Sequence, residues 1–344
     1  MQYFYDKENE EFRINDLRFM SPTHGLAVGW IAERKGRPRP YSVATTNGGA
    51  KWEAQPLPDV GLSTFFLNDS LGWLVGEKGV YRTEEGGRDW KRVSKLKNDI
   101  AINRVHFIDE NHGWAACERK TVLETKDGGK TWDELKKASE PTANPDYTSY
   151  NWIEFVSPKD GMIVGSSIPP RPGDNRPLCM DPEGASKRRE WPTLTVTLET
   201  RDAGATWKSQ TAPAFGQATR FRTGANGTAL VVIRFSNSFE WPSEVYQVKT
   251  GGSSTRVFRQ ADLVVTDCAW MSANRAILAA VEPPGKLHQL PIPGKIHVLV
   301  SDNLTNWTEM KVDYKAYGNS AVLSVLGPDQ AWLATDTGQI LKLG

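Results

Sequence analysis

Five short segments that read as innermost strands carry titratable residues, three of them on alternate positions, and they are the first place to look for chemistry. Asp16 and Arg18 lie in INDLRF, Arg104 and His106 in INRVHF, Glu154 in NWIEFV, Arg220 and Arg222 in TRFRT, and Asp267 in VVTDCAW. Alternate residues of a strand share one face, so each segment presents its charges on a single side. Two chemistries use such groups. Paired carboxylates about 5–9 Å apart hydrolyse glycosidic bonds, with Glu154, Asp267 and Asp16 as the candidates. A hydrolase of a carboxylated sugar would add a cluster of guanidinium groups to clamp the carboxylate, and Arg18, Arg104 and Arg220 are the candidates. No sequence motif places a catalytic pair.

Other site chemistries find less support. His24, His106, His112, His288 and His297 have no metal-ligand spacing. Cys117, Cys179 and Cys268 are odd in number and without a C-x-x-C pair, which argues against a disulfide framework and a zinc site. There is no phosphate-loop spacing and no G-x-S-x-G elbow. No metal and no cofactor is expected. Lys plus Arg number 42 against 41 Asp plus Glu among 344 residues, so no global field points to nucleic acid or a membrane surface. No apolar run is long enough to cross a bilayer. The amino terminus, MQYFYDKENEEF, is polar and lacks the layout of a secretion signal. A cytoplasmic location is expected as written, and a periplasmic or extracellular one if a leader has been removed.

The elements that must position the charges announce themselves by repetition. TTNGGAKW ends at Trp52, TEEGGRDW at Trp90, TKDGGKTW at Trp132 and TRDAGATW at Trp207, while SDNLTNW ends at Trp307. The shortest Trp-to-Trp step, 38 residues from Trp52 to Trp90, is near the length of one four-stranded propeller blade. Within each octet the glycines supply φ > 0 for a tight turn. Asn47, Glu85, Asp127 or Asp202 can accept backbone N–H groups inside it, and the closing Trp starts the next strand. Calcium at these carboxylates is less favoured than turn chemistry. A second motif recurs ahead of each octet, as HGLAVG (24–29), LGWLVG (71–76), HGWAAC (112–117) and DGMIVG (160–165).

These octets resemble Asp boxes, the BNR repeat of β-propellers. With the GWxVG strands before them they resemble the photosystem II stability/assembly-factor-like family over nearly the whole chain. The resemblance implies an all-β fold: one domain, residues 1–344, forming a seven-bladed propeller of four-stranded antiparallel blades. Blade 7 lacks an outer strand, and QYFYDK at the amino terminus is expected to supply it and so close the ring. Blade 5 is degenerate, with Arg256 where a Trp is expected. Sialidases are more distantly similar; they clamp a carboxylate with three arginines and use a Tyr nucleophile, for which Tyr314 or Tyr317 would serve. However, the Arg-Ile-Pro motif is broken here, since Arg13 and Ile14 are followed by Asn15.

Four connections between the second and third strands of a blade are long: 32–40, 166–192, 236–243 and 282–295. They are expected on one face, opposite the Asp boxes, where long loops on a rigid scaffold bind partners. Arg34, Lys35, Arg37 and Arg39 form one basic patch, and Arg171, Arg176, Lys187, Arg188 and Arg189 a second, with Trp191, Phe239 and Trp241 among them. Arg and Trp are enriched at interface hot spots. The expected role is a non-catalytic, monomeric assembly scaffold that binds a protein, or an acidic or carbohydrate ligand, on that face. A glycoside hydrolase or a lectin acting at the channel mouth is the alternative.

Overall fold

The octet turns show how the ring is assembled. In the computed structural model, which describes residues 2–33, 36–95, 100–170, 192–235, 241–249, 253–283, 292–313 and 315–343, Thr125 Oγ1 donates to Asp127 Oδ1 (2.9 Å) and accepts from Gly129 N. Asp127 also receives Thr131 N and Thr131 Oγ1, at 2.9 and 2.6 Å. Asp202 makes the same set with Thr200 and Thr206, and Asn47 makes the backbone part with Lys51 N. In blade 2 the hydroxyl of Thr83 holds the turn, accepting from Glu85 N and Gly87 N. Gly128 and Gly129 sit at φ +76° and +91°, where a side chain would be strained. The turn is also tied to its own blade, because Gly128 N donates to Asn111 O across the neighbouring hairpin end.

Between these turns the described residues form seven antiparallel sheets, five of them four consecutive strands in linear order and that of blade 6 the same with a short fifth strand beside its third; the four are here named a to d from the channel outward. Strands a run Glu10–Phe19, Gly61–Phe66, Ile102–Phe107, Thr148–Phe155, Gln217–Thr223, Val264–Trp270 and Ala321–Gly327 in blades 1 to 7. Blade 7 has three strands from the carboxyl-terminal end and takes its fourth from Tyr3–Phe4, which pairs Tyr3 with Ile340 and Phe4 with Gln339. Gln2 N and Tyr5 N extend the ladder to Ile340 O and Gly338 O. The joint is short, and aromatic packing supports it: Tyr5, Phe12 and Tyr41 meet edge to face at 5.2–6.0 Å. The closure expected from the sequence is therefore present.

The core lies between blades. Trp73 of blade 2 stacks on Phe107 of blade 3 at 3.7 Å, and Trp114 of blade 3 on Phe155 of blade 4 at 4.8 Å. Trp332 of blade 7 stacks on Phe19 of blade 1 at 3.7 Å. The seam that closes the ring thus reuses an interior seam, which is why two strand residues suffice to seal it. Gly113 shows the spatial demand: a Cβ there would sit 2.5 Å from the Phe107 ring. Blade 5 departs from the pattern as expected. Arg256 and Arg259 both reach Glu244 Oε1 at 3.2 Å, and Tyr246 Oη donates to Glu244 Oε2. An ion cluster stands there in place of the aromatic lock.

Strand direction alternates within each blade, so the b–c connections leave from the same end as the d–a connections. Blade 3 has a tight b–c turn in which Arg119 and Lys120 are left-handed, at φ +54° and +57°. Lys120 is buried, and its ammonium donates to Ser139 O and Ala143 O. It fastens the long link from blade 3 to blade 4, which holds two short 3-10 turns at Lys136–Ser139 and Pro145–Tyr147.

Candidate functional site

A β-bulge aims the inner strands at the channel. In blades 1 to 6 the a–b pairing slips by one residue at the same repeat position, at Asn15, Leu62, Asn103, Asn151, Thr219 and Thr266. A bulge bends its strand and re-aims the next side chain. Those next residues are Asp16, Ser63, Arg104, Trp152, Arg220 and Asp267. The bulged residues themselves bridge blades: Asn15 Nδ2 donates to Gly61 O, Asn103 Nδ2 to Tyr150 O, and Thr266 Oγ1 to Ala321 O.

Trp152 is the centre of the cluster. The guanidinium carbon of Arg104 lies 3.7 Å from its ring centre, that of Arg222 at 4.5 Å and that of Arg220 at 5.6 Å. Cation–π contact of this kind strengthens where water is scarce, and Trp152 itself is buried. Arg18 approaches from blade 1, close enough for its charge to act on Arg104, His106 and Glu154. The structure therefore brings together Arg18, Arg104 and Arg220, as well as His106, Glu154, Arg222 and Asp267, from blades 1, 3, 4, 5 and 6.

The three carboxylates of the cluster are committed to neighbouring blades. Asp16 Oδ2 accepts from Thr64 N (2.7 Å) and Thr64 Oγ1 (3.0 Å). Glu154 Oε2 accepts from Thr223 N at 2.9 Å. Asp267 accepts from Leu323 N and Cys268 N, and both its oxygens lie 3.3 Å from Arg222. Each carboxylate joins one inner strand to the next, and Ser324 Oγ completes the series by accepting from Phe19 N. Both oxygens of Asp267 are engaged, by Arg222, Cys268 N and Leu323 N.

The electrostatics follow from confinement. Protein surrounds Arg104 even though some of its surface meets channel water, and desolvation lowers its pKa to about 9; Asp16 opposes this while Arg220, Arg222 and Arg18 add to it. Burial and then Arg18 push His106 down to about 3, so it is neutral at physiological pH. Burial raises Glu154 above the usual carboxylate range against the pull of Arg222 and the Thr223 N–H. For Arg222 desolvation works downward, but Asp267 and Glu154 outweigh it and the net direction is up.

A cleft of about 270 Å³ reaches Arg220 at the b–c end of the ring, between Arg13, Asn15, Trp30 and Asp336. Of the loop candidates, Arg37 is exposed. Arg39 is bound to Glu10 at 3.1 Å and faces Glu33 at 3.5 Å. Trp241 is covered by Arg259, whose guanidinium carbon is 4.1 Å from its ring centre. Arg34, Lys35, Arg171, Arg176, Lys187, Arg188, Arg189, Trp191 and Phe239, as well as Tyr314, lie outside the described residues. Tyr317 is exposed, in a short strand, Tyr317–Gly318, that pairs with Gly294 and Lys295 of blade 6. Sequence reasoning missed Trp152. The signal was available in the aligned bulge pairs Asn15-Asp16, Asn103-Arg104, Asn151-Trp152, Thr219-Arg220 and Thr266-Asp267.

A family model described as photosynthesis system II assembly factor YCF48 matches residues 93–168. The chain is 23% identical over 268 residues to the photosystem II assembly lipoprotein Ycf48 of Prochlorococcus marinus, covering 71% of this chain and 68% of the relative. It is also 23% identical over 273 residues to the photosystem II assembly protein Ycf48 of Thermosynechococcus vestitus, covering 73% and 71%. In fold it is similar to a solved structure titled YCF48 bound to D1 peptide, with a TM-score of 0.62 at 17% identity, over 99% of this chain and 98% of that one. The likeness to photosystem II assembly-factor-like Asp-box propellers, read from the octets, holds in sequence and in fold. Among the described residues, no helix is long and apolar enough to cross a membrane.

Proposed function

We propose that this chain is a non-catalytic assembly scaffold that binds a protein partner on the face opposite the Asp boxes. The observation that carries the reading is the arginine-rich channel wall centred on Trp152, whose carboxylates are used up between blades while its guanidinium groups face the channel. The names of the relatives support it, because they are assembly proteins and one similar structure holds a D1 peptide. Arg37, exposed on the first long b–c connection, adds positive charge on that face, so an acidic segment of the partner suits the site. Measuring binding of a labelled D1 peptide by fluorescence anisotropy tests the reading. Saturable binding that weakens when Arg220 and Arg37 are changed to Gln is the expected result, and unaltered binding would remove it.

The raised pKa of Glu154 is the one feature that favours the alternative, a glycoside hydrolase, since a general acid needs such a group. Turnover of any substrate in a panel of sialosides and β-glucans, abolished in Glu154→Gln, would establish that reading instead. An exported location accords with the lipoprotein name of one relative; cell fractionation with an antibody to the chain decides between compartments.

A further inference from the structure

Among the described residues, three histidines outside the channel wall meet carboxylates, and one of them meets two. His112 Nε2 lies 2.8 Å from Glu124 Oε1, and His24 Nδ1 lies 3.7 Å from Asp69. His297 differs: its Nδ1 lies 2.7 Å from Glu309 Oε1 and its Nε2 lies 3.2 Å from Glu282 Oε1. The sheet of blade 6 sets this up. Strand b, Ala276–Val281, strand c, Gly294–Ser301, and strand d, Thr308–Met310, run side by side. His297 stands opposite Ala280 on strand b, and Glu309 stands opposite Leu299 on strand d. Glu309 is therefore a diagonal neighbour of His297 on the same face, within reach of a long side chain. Glu282, one residue past strand b, is the diagonal neighbour on the other side, and its N–H donates to Lys295 O.

A neutral imidazole has one N–H donor and one lone pair, whereas an ionised carboxylate only accepts. Whichever nitrogen holds the single proton, the other turns its lone pair toward a carboxylate oxygen. With a proton on both nitrogens, the ring donates to Glu309 and Glu282 together through charge-assisted hydrogen bonds. The side chain of His297 is 13% exposed, while those of Glu282 and Glu309 are about half exposed, so the ring is enclosed and its partners reach water. Lys295 on the same face of strand c, Lys311 just past strand d and Tyr317, which pairs with Lys295, are the other titratable groups of blade 6 around it. Blade 5 packs on this face through Leu230, Val232, Val245 and Phe258, and its Glu244, Arg256 and Arg259 are bound to one another. Asp262 is the charged residue of the link into blade 6.

We propose that Glu282, His297 and Glu309 form a proton-operated clasp that ties strands b, c and d of blade 6 together. Strand d meets strand c over three residue pairs only, Val298 with Met310, Leu299 with Glu309 and Val300 with Thr308, so side-chain ties matter to it. Protonation of the ring engages both carboxylates. Loss of that proton sets a lone pair against one of them and releases it to water. A group whose charged acid form is favoured by its folded-state partners contributes stability at low pH and loses it as pH rises through its folded-state titration. The clasp therefore tightens on acidification, and the outer edge of blade 6 loosens above the titration of His297. The device does not depend on the partner reading.

Long-range proton–nitrogen NMR of the imidazole rings, followed through a pH titration of the full chain, is the test, with His297 identified by its loss in His297→Gln. Wild-type His297 should keep two protons to a higher pH than it does in Glu282→Gln/Glu309→Gln, while His112 should titrate alike in both proteins. Amide hydrogen exchange at Thr308–Met310, corrected for its intrinsic pH dependence, should quicken through the His297 midpoint in the wild type and be fast at every pH in the double variant. The same His297 midpoint in both proteins, or exchange at Thr308–Met310 that ignores that midpoint, would overturn the proposal. Should the double variant fail to fold, Glu282→Gln and Glu309→Gln singly carry the comparison, since each leaves one ring nitrogen without its carboxylate. A His297 midpoint equal to that of the wild type in both single variants would likewise overturn it.

Discussion

The c–d turns and the inner strands are built at equivalent places in successive blades, yet they behave differently in sequence. The turn keeps its residues: Thr125, Asp127 and Thr131 in one blade and Thr200, Asp202 and Thr206 in another make the same bonds within about 0.1 Å. The inner strand keeps only its shape. Its bulge recurs from blade 1 to blade 6, while the side chain after the bulge changes from Asp16 to Ser63, Arg104, Trp152, Arg220 and Asp267. Repetition marks what every blade needs in order to fold. Divergence on a repeated backbone marks what the whole ring uses once. Charge gathers accordingly on blades 3 to 6 and on Asp16 and Arg18, while Ser63, Phe65, Val322 and Ser324 line the rest of the wall.

That contrast is tested most severely by Trp114→Ala, which opens a seam between blades 3 and 4. A fully buried Trp exchanged for Ala costs about 3–5 kcal/mol, so urea unfolding should show a large loss with little effect on peptide affinity once folded. Asp267→Ala comes next, at about 3 kcal/mol, because it strands Arg222 and the Leu323 N–H. It breaks the simple division, since a wall residue here serves the fold, and its urea midpoint should fall well below that of the wild type.

A smaller effect belongs to the turn carboxylates. Thr206 hydroxyl and N–H donors lower the pKa of Asp202, and for Asp127 the donors of Thr131 and Thr125 outweigh a desolvation that works upward. A carboxylate with a lowered folded pKa contributes stability above its unfolded pKa and loses it as pH falls through the folded one. Thermal melts of the wild type should therefore decline below the ordinary carboxylate range, and Asp202→Ala should flatten that decline. Smallest is Ala203→Gly. Ala203 holds φ +57° in the turn where other octets place Gly, so the change should raise stability by about 1 kcal/mol.

Much of the fold was legible because spacing encodes it. The steps between Trp52, Trp90 and Trp132 give the blade, and the missing partner of Gln339–Leu343 pointed to Tyr3–Phe4. The arginines and carboxylates of the wall were also named, from their place on the innermost strand of each repeat. Their division of labour was not legible, since only the structure shows that Asp16 reaches Thr64 and Glu154 reaches Thr223 across a blade boundary. Trp152 escaped notice because a Trp in a strand reads as core, and a bulge is a property of two paired strands. Likewise, nothing in the order of residues says that Arg39 spends its charge on Glu10.

The central claim is that the arginine wall around Trp152 serves an acidic partner and not the fold. Acidic-peptide affinity and Tm measured side by side on the wild type and on the Arg18→Gln/Arg104→Gln double variant test it most directly. Loss of charge-assisted hydrogen bonds should weaken binding by about tenfold or more while Tm stays level or rises. Undiminished binding, or a fall in Tm as deep as that of Trp114→Ala, would contradict the account.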